Sequence, residues 1–194
     1  MIPVELEVEN FLAYRTPGPL RFDGVHVACL SGPNGAGKSA LLEAMTWALW
    51  GRGRSHQPDD LIHQGQDEMA VRLTFDHEGA RYRVIRQRHA GKRGTSLLEL
   101  MVWDPASEAW RGLGEGALRE TQAKITALLR LDYETFLNSA LLAQGRADEF
   151  TTKTPSLRKQ VLADILGLAR WEQYEERAKE RIVETQAALD RLEG

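Results

Sequence analysis

Apolar and acidic residues alternate through Val4-Glu5-Leu6-Glu7-Val8-Glu9-Asn10-Phe11, the period of a strand with one face in a core and the other in water. Pro17-Gly18-Pro19 breaks the run, Leu20-Arg21-Phe22 offers a second short strand, and Asp23-Gly24 is a tight-turn pair. The pattern then changes. Val25-His26-Val27-Ala28-Cys29-Leu30 is almost continuously apolar, which predicts a buried strand, and residues 39–50 have helical spacing closed by Gly51. Alternation returns in residues 69–75 and 81–86 around the turn 76–80, a predicted hairpin, and residues 96–103 supply a third strand after a Gly91 to Gly94 turn. The expected architecture is a parallel-type strand-loop-helix unit with an antiparallel sheet inserted after it. Residues 52–67, polar and rich in turn formers, make a long connection between the two.

Helical spacing resumes over residues 115–131, with Leu118, Ile125, Leu128 and Leu129 on one side, and a short separate helix is expected over 132–138. Leu141-Leu142-Ala143-Gln144-Gly145 reads as a buried strand ended by a glycine. Thr154-Pro155 is a helix start, Thr154 as N-cap and Pro155 at the first helical position, and the helical signal then runs on with an interruption at Gly167. Trp171, Tyr174, Ala178, Ile182, Thr185, Leu189 and Leu192 recur every three or four residues with charges between them, the seam of a coiled coil. Such a helix has little apolar surface for its own domain and needs a partner helix; an amphipathic helix folded back on the domain is the alternative. The division expected is therefore 1–153 for the lobe and 154–194 for the helical segment.

With 42% hydrophobic residues in 194, the chain has enough for a real core, and disorder is not the expected state. A net charge of -3 excludes a uniformly basic nucleic-acid binder but leaves room for a local basic patch, for which Arg81, Arg83, Arg88, Lys92 and Arg93 are the candidates. Cys29 is the single cysteine, so no internal disulfide forms, and its apolar surroundings predict a buried thiol. No apolar run reaches the roughly 20 residues of a membrane span, so the expected compartment is the cytoplasm, with no membrane partner.

Chemistry concentrates at Gly32-Pro33-Asn34-Gly35-Ala36-Gly37-Lys38-Ser39, a complete G-x-x-x-x-G-K-S/T phosphate-binding loop continued by Ala40 into the helix. Glycines let the backbone turn several N–H groups inward on one anion. Lys38 would place a positive charge on the β and γ phosphates of ATP, Ser39 would offer its hydroxyl to Mg²⁺, and the helix N-terminus points its dipole at the same anion. Hydrolysis also needs an acidic residue at a strand end to hold Mg²⁺ or activate water. Asp76 and Asp104 sit at such positions, but each precedes turn residues and reads as an ordinary strand-end turn. No Leu-Ser-Gly-Gly-type segment is present either. The chain reads as half of an active site.

Asn10-Phe11, the loop Gly32 to Ser39, Asp60-Leu61-Ile62-His63-Gln64-Gly65, Leu141-Leu142-Ala143-Gln144-Gly145-Arg146 and the coiled-coil exit closely resemble the N-terminal half of the SbcC family. These are SMC-like, ABC-type ATPases that partner a nuclease in DNA double-strand-break repair. The resemblance implies an α/β ABC-type P-loop lobe with an antiparallel sheet and a coiled-coil extension. It implies that Gln144 coordinates Mg²⁺ and its water, that Ile62, His63 and Gln64 lie near the nucleotide, and that Lys38 and Gln144 serve catalysis. Relatives often carry a basic residue directly after Asn-Phe; here Leu12 stands there, and Arg15 is the candidate substitute. Implied partners are a C-terminal half of the same ATPase, a second head joined on ATP binding, an SbcD-type nuclease and double-stranded DNA, in a cytoplasmic, nucleoid-associated protein. The rival readings are another SMC-like chromosome-organising or recombination-mediator head, and a structural module that binds ATP without turnover.

Overall fold

The computed structural model describes residues 1–55, 57–91, 94–114, 116–139, 154–165 and 169–193, and they divide into two compact units, Met1–Tyr133 and Glu134–Gly194. The first is built on one antiparallel sheet. Its strands are β1 (Ile2–Glu9), β2 (Leu20–Arg21), β3 (Glu68–His77), β4 (Ala80–His89), β5 (Thr95–Asp104) and β6 (Ala109–Gly112), in the spatial order β2-β1-β3-β4-β5-β6. Helices α1 (Lys38–Trp50) and α2 (Leu118–Leu129) lie against one face, α1 on β3 and β4 and α2 on β5.

Period-two alternation makes that face apolar. Leu6, Val8, Met69, Val71, Leu73, Phe75, Val84, Leu98 and Leu100 all point into the core, where they meet Phe11, Trp47, Leu49, Leu61 and Ile125. On α1 the buried positions include Ala40, Ala44 and Ala48, whose small side chains let the helix axis approach the sheet, while Trp47 fills the space between and tilts against Phe11 at 5.6 Å.

The β3–β4 hairpin follows the predicted boundaries closely. Its two turn residues, Glu78 (φ 49°) and Gly79 (φ 83°), are both left-handed, the geometry whose twist matches the flanking strands. Beside the turn Asp76 stands opposite Arg81, and the guanidinium donates to both carboxylate oxygens at 2.8 and 3.0 Å. That bond holds the Asp76 carboxyl below the usual carboxylate range. A depressed folded pKa stabilises at neutral pH, and the contribution is lost as pH falls through it. Asp76→Asn should therefore flatten the acid limb of a melting-temperature profile below pH 5 by about 0.2–1 kcal/mol, the range for exposed pairs. A profile identical to that of the parent chain would refute the contribution.

Strand β6 lacks a visible alternation of its own and is the one strand not anticipated. It exists because Asp104 shapes the preceding turn, accepting the Ala106 N–H and the Ser107 hydroxyl at 3.0 Å each, and because Trp110 packs edge-on against Trp103 at 5.3 Å. The apolar face of α2 is narrower than its spacing suggests: Ile125 is buried, Leu128 and Leu129 are partly so, and Leu118 is exposed.

The largest correction concerns residues 25–30. They form no strand; Val27 is 91% exposed, and Val25, Leu30 and Cys29 are exposed as well. A buried parallel strand needs hydrogen-bonding neighbours, and among the described residues every sheet position is taken by an antiparallel strand. The apolar run therefore lies on the surface. The three described candidates for the basic patch are each engaged separately. Arg88 lies on the core side of β4 with its Nε on Asp59 at 2.6 Å, Arg81 is paired with Asp76, and Arg83 donates to Thr74 while stacking 4.1 Å from the Trp110 ring. Lys92 and Arg93 lie outside the described residues.

In the second unit α3 (Tyr133–Ser139, its first residue shared with the first unit), α4 (Pro155–Ile165) and α5 (Ala169–Glu193) are helical. The Thr154 hydroxyl accepts the Leu157 N–H at 3.4 Å, the expected N-cap. Helices α4 and α5 stop and restart on either side of Gly167, which itself lies outside the described residues. Positions 174–186 of α5 are exposed throughout, including seam positions Tyr174, Ala178, Ile182 and Thr185. The strand expected at Leu141 to Gly145 lies outside the described residues.

Candidate nucleotide site

Between β2 and α1 the backbone makes a loop whose turns need glycine. Gly35 (φ 84°) and Gly37 (φ 90°) are left-handed, and Gly37 is the N-cap of α1. Gly37 is doubly constrained, since a β-carbon there would stand 3.1 Å from Ala13 Cβ and from the Tyr14 ring. Residues Gly32, Pro33, Asn34 and Ala36 are exposed along the same loop, with the Ala36 N–H reaching the Pro33 carbonyl at 3.3 Å.

Lys38 opens the helix and folds back over the loop. Its Nζ donates to the carbonyls of Gly32 (2.7 Å) and Pro33 (2.8 Å), which leaves the third ammonium proton uncommitted. Ser39 is exposed in the first turn of α1, and Ala40 is buried beneath it. No acidic residue occupies that first turn, so the free N–H groups and the helix dipole meet no competing carboxylate. A helix N-terminus, an ammonium and a hydroxyl are thus brought together at a glycine-shaped loop, a set of donors of the kind that suits an anion.

The wall beside Gly37 comes from a tight turn after β1. Phe11 and Tyr14 exchange backbone hydrogen bonds at 2.8 and 2.9 Å, and the Asn10 N–H donates to the Arg15 carbonyl at 2.7 Å. Phe11 is fully buried and anchors this turn in the core, while Arg15 is exposed. Ala13 and Tyr14 were invisible as site residues in the sequence, because nothing in their spacing shows that they lie against Gly37.

The same turn holds the connection after α1. Leu12 N–H donates to the Leu61 carbonyl and His63 N–H to the Asn10 carbonyl, both at 2.8 Å, and Ile62 bridges Phe11. The His63 ring sits 2.6 Å from the Leu12 carbonyl through Nδ1; a carbonyl only accepts, so Nδ1 carries a proton and donates it there. Gln64 is exposed. Farther back, a 3-10 turn (Pro58–Leu61) is pinned by Arg88 on Asp59 and by the Ser55 hydroxyl on Asp60, and the Glu43 carboxylate accepts the Arg54 N–H and Nε. The long polar connection is thus ordered by side chains from α1 and β4. The structure brings the phosphate loop, at Gly37, and residues Ile62 and His63 against one and the same turn. Gln144 lies outside the described residues, and Asp76 and Asp104 are both engaged in their own turns.

The chain is similar to several known proteins. The AAA domain family matches residues 5–193. The chain is 34% identical over 185 residues to the SbcC component of the SbcCD nuclease of Deinococcus radiodurans, covering 94% of this chain and 20% of that protein. It is 28% identical over 194 residues to "DNA double-strand break repair Rad50 ATPase" of Methanocaldococcus jannaschii, covering 100% of this chain and 18% of that one. The chain therefore spans about a fifth of the length of these curated relatives. Among solved structures, one described as "Structural biochemistry of ATP-driven dimerization and DNA stimulated activation of SMC ATPases" superposes with a TM-score of 0.58 at 20% identity. The match covers 85% of this chain and 99% of that one, a likeness of fold.

Proposed function

Because the chain belongs to the AAA domain family, in its SbcC and Rad50 branch of ATPases, we propose that it is the N-terminal half of an ATP-binding and ATP-hydrolysing head. The observation that carries the reading is Lys38 folded over a left-handed glycine loop at the open N-terminus of α1. In this reading Lys38 and the loop from Gly32 to Ala40 hold the ATP phosphates, Ser39 ligates Mg²⁺, and Gln144 completes the metal shell and aligns water. Arg15, Ile62, His63 and Gln64 border the nucleotide, and the turn joining residues 10–15 to residues 61–63 supports that role.

Residues 1–153 make the head lobe and 154–194 begin an antiparallel coiled coil, whose returning helix covers the exposed seam at Tyr174, Ala178, Ile182 and Thr185. Hydrolysis requires a C-terminal half that brings the acidic strand end and the signature segment. A second head closes on ATP, and the resulting open-to-closed equilibrium regulates an SbcD-type nuclease acting on double-stranded DNA. The protein works in the cytoplasm at the nucleoid. Turnover of ATP, measured for this chain alone and after adding the complementary C-terminal half, tests the composite site. Activity should appear only on reconstitution. Equal, negligible turnover in both samples would instead mark a module that binds ATP without hydrolysing it.

A further inference from the structure

We propose that Arg86 is the positioning residue of the phosphate-loop helix: its guanidinium anchors the C-terminal end of α1 and, through Gln122, ties that end to α2. The inference rests on the nucleotide-binding reading of the loop at the other end of the same helix.

Arg86 sits mid-strand in β4 opposite Val71 and Leu98, on the core face, and is only 5% exposed. Its Nε donates to the Ala48 carbonyl at 3.0 Å and its Nη2 to Gln122 Oε1 at 2.6 Å, while Gln122 Nε2 donates to the Leu49 carbonyl at 2.9 Å. These carbonyls belong to the last turn of α1, where intrahelical donors run out. The helix has no basic residue of its own there, so the positive end-charge that its dipole favours comes from β4. The fit is close: a β-carbon on Gly51 would lie 2.9 Å from Arg86 Nη1.

Burial lowers the Arg86 pKa to about 10, and among the described residues no neighbouring charge offsets the penalty. An apolar side chain of the same volume would fill this place without that cost, so packing alone does not account for an arginine. What the guanidinium adds is a three-way joint between β4, the end of α1 and α2. Helix α1 has 13 residues, about 20 Å at 1.5 Å per residue, and it is rigid on that scale. A phosphate drawn onto its N-terminal N–H groups shifts the helix along its length, and the joint passes that shift to Gln122 and α2.

The test compares this chain with Arg86→Met, Arg86→Lys and Gln122→Leu. ATP affinity is measured by calorimetry in Mg²⁺, and amide exchange of residues 118–129 is followed with and without ATP. Arg86→Met should weaken ATP binding about fivefold, the size of a helix-end charge effect. It should also erase the ATP-induced exchange change in α2. Arg86→Lys restores the charge and should recover the affinity. Gln122→Leu leaves Arg86 in place, so its affinity should stay within about twofold while the α2 response disappears.

An arginine that only stabilised the fold would lower the melting temperature and leave the ATP-induced difference in α2 intact, which would overturn the proposal. So would parent-like affinity and response in the variants. Should Arg86→Met fail to fold, Gln122→Leu decides, because an undiminished α2 response there is equally fatal. Failure of the parent chain to bind ATP would refute the nucleotide reading and this joint with it, whereas normal parent binding beside indifferent variants removes the joint alone.

Discussion

Lys38→Ala is expected to lower ATP affinity at least a hundredfold, the loss of about 3 kcal/mol when a charge-assisted contact to phosphate disappears. The ammonium stands over the mouth of the loop on two carbonyls, with a third donor still to give. Both of those carbonyl bonds are exposed, so water replaces them in the variant and the fold loses little. The expected signature is therefore specific: no binding heat in calorimetry, with a thermal unfolding midpoint close to that of the parent. Parent-like affinity would sink the phosphate-loop assignment, and a large drop in the midpoint would show that Lys38 serves the fold instead.

Phe11→Ala should be the most destabilising single truncation, about 3–5 kcal/mol by urea unfolding. Phe11 is fully buried, touches Trp47, and carries the backbone bonds of the turn that meets both Gly37 and Ile62. Removing the ring opens a cavity beneath α1 and unseats the wall of the candidate site at once. Phe11→Leu keeps most of the buried volume and should recover more than half of the loss. A cost below about 1 kcal/mol for the alanine variant would mean that the core collapses around the gap and that the turn does not depend on this anchor.

The sequence was legible where one physical rule acted alone. Alternation located β1, β3 and β4 because one sheet face is dry and the other wet, the glycine turn before it marked β5, and Gly51 and Thr154 marked helix ends through backbone conformation and capping. The phosphate loop was legible because its chemistry is local, a run of eight residues with fixed roles. Residues 25–30 misled because an apolar run states a need for cover without stating where the cover comes from. Arg88, a candidate for the basic patch, stands instead on the dry face: its register is opposite Met69, and Asp59 receives it there. Tyr14 and Arg86 could not be found at all. Their importance lies in contacts with Gly37 and with the end of α1 that only the folded chain creates.

The sheet order also sets a timetable for assembly. Strands β3 to β6 form a meander of neighbouring hairpins, so their pairings close short loops and are cheap in chain entropy. The ladder of β1 with β3 is not local: Ile2 is registered opposite Asp76, with α1 and the whole phosphate loop contained in the chain between. Closing that ladder carries a larger loop-closure cost than any hairpin of the meander. The meander leaves β3 an edge that β1 completes, and the turn that follows β1 supplies the wall against Gly37, so the shape of the glycine loop depends on the one strand pairing that is not local.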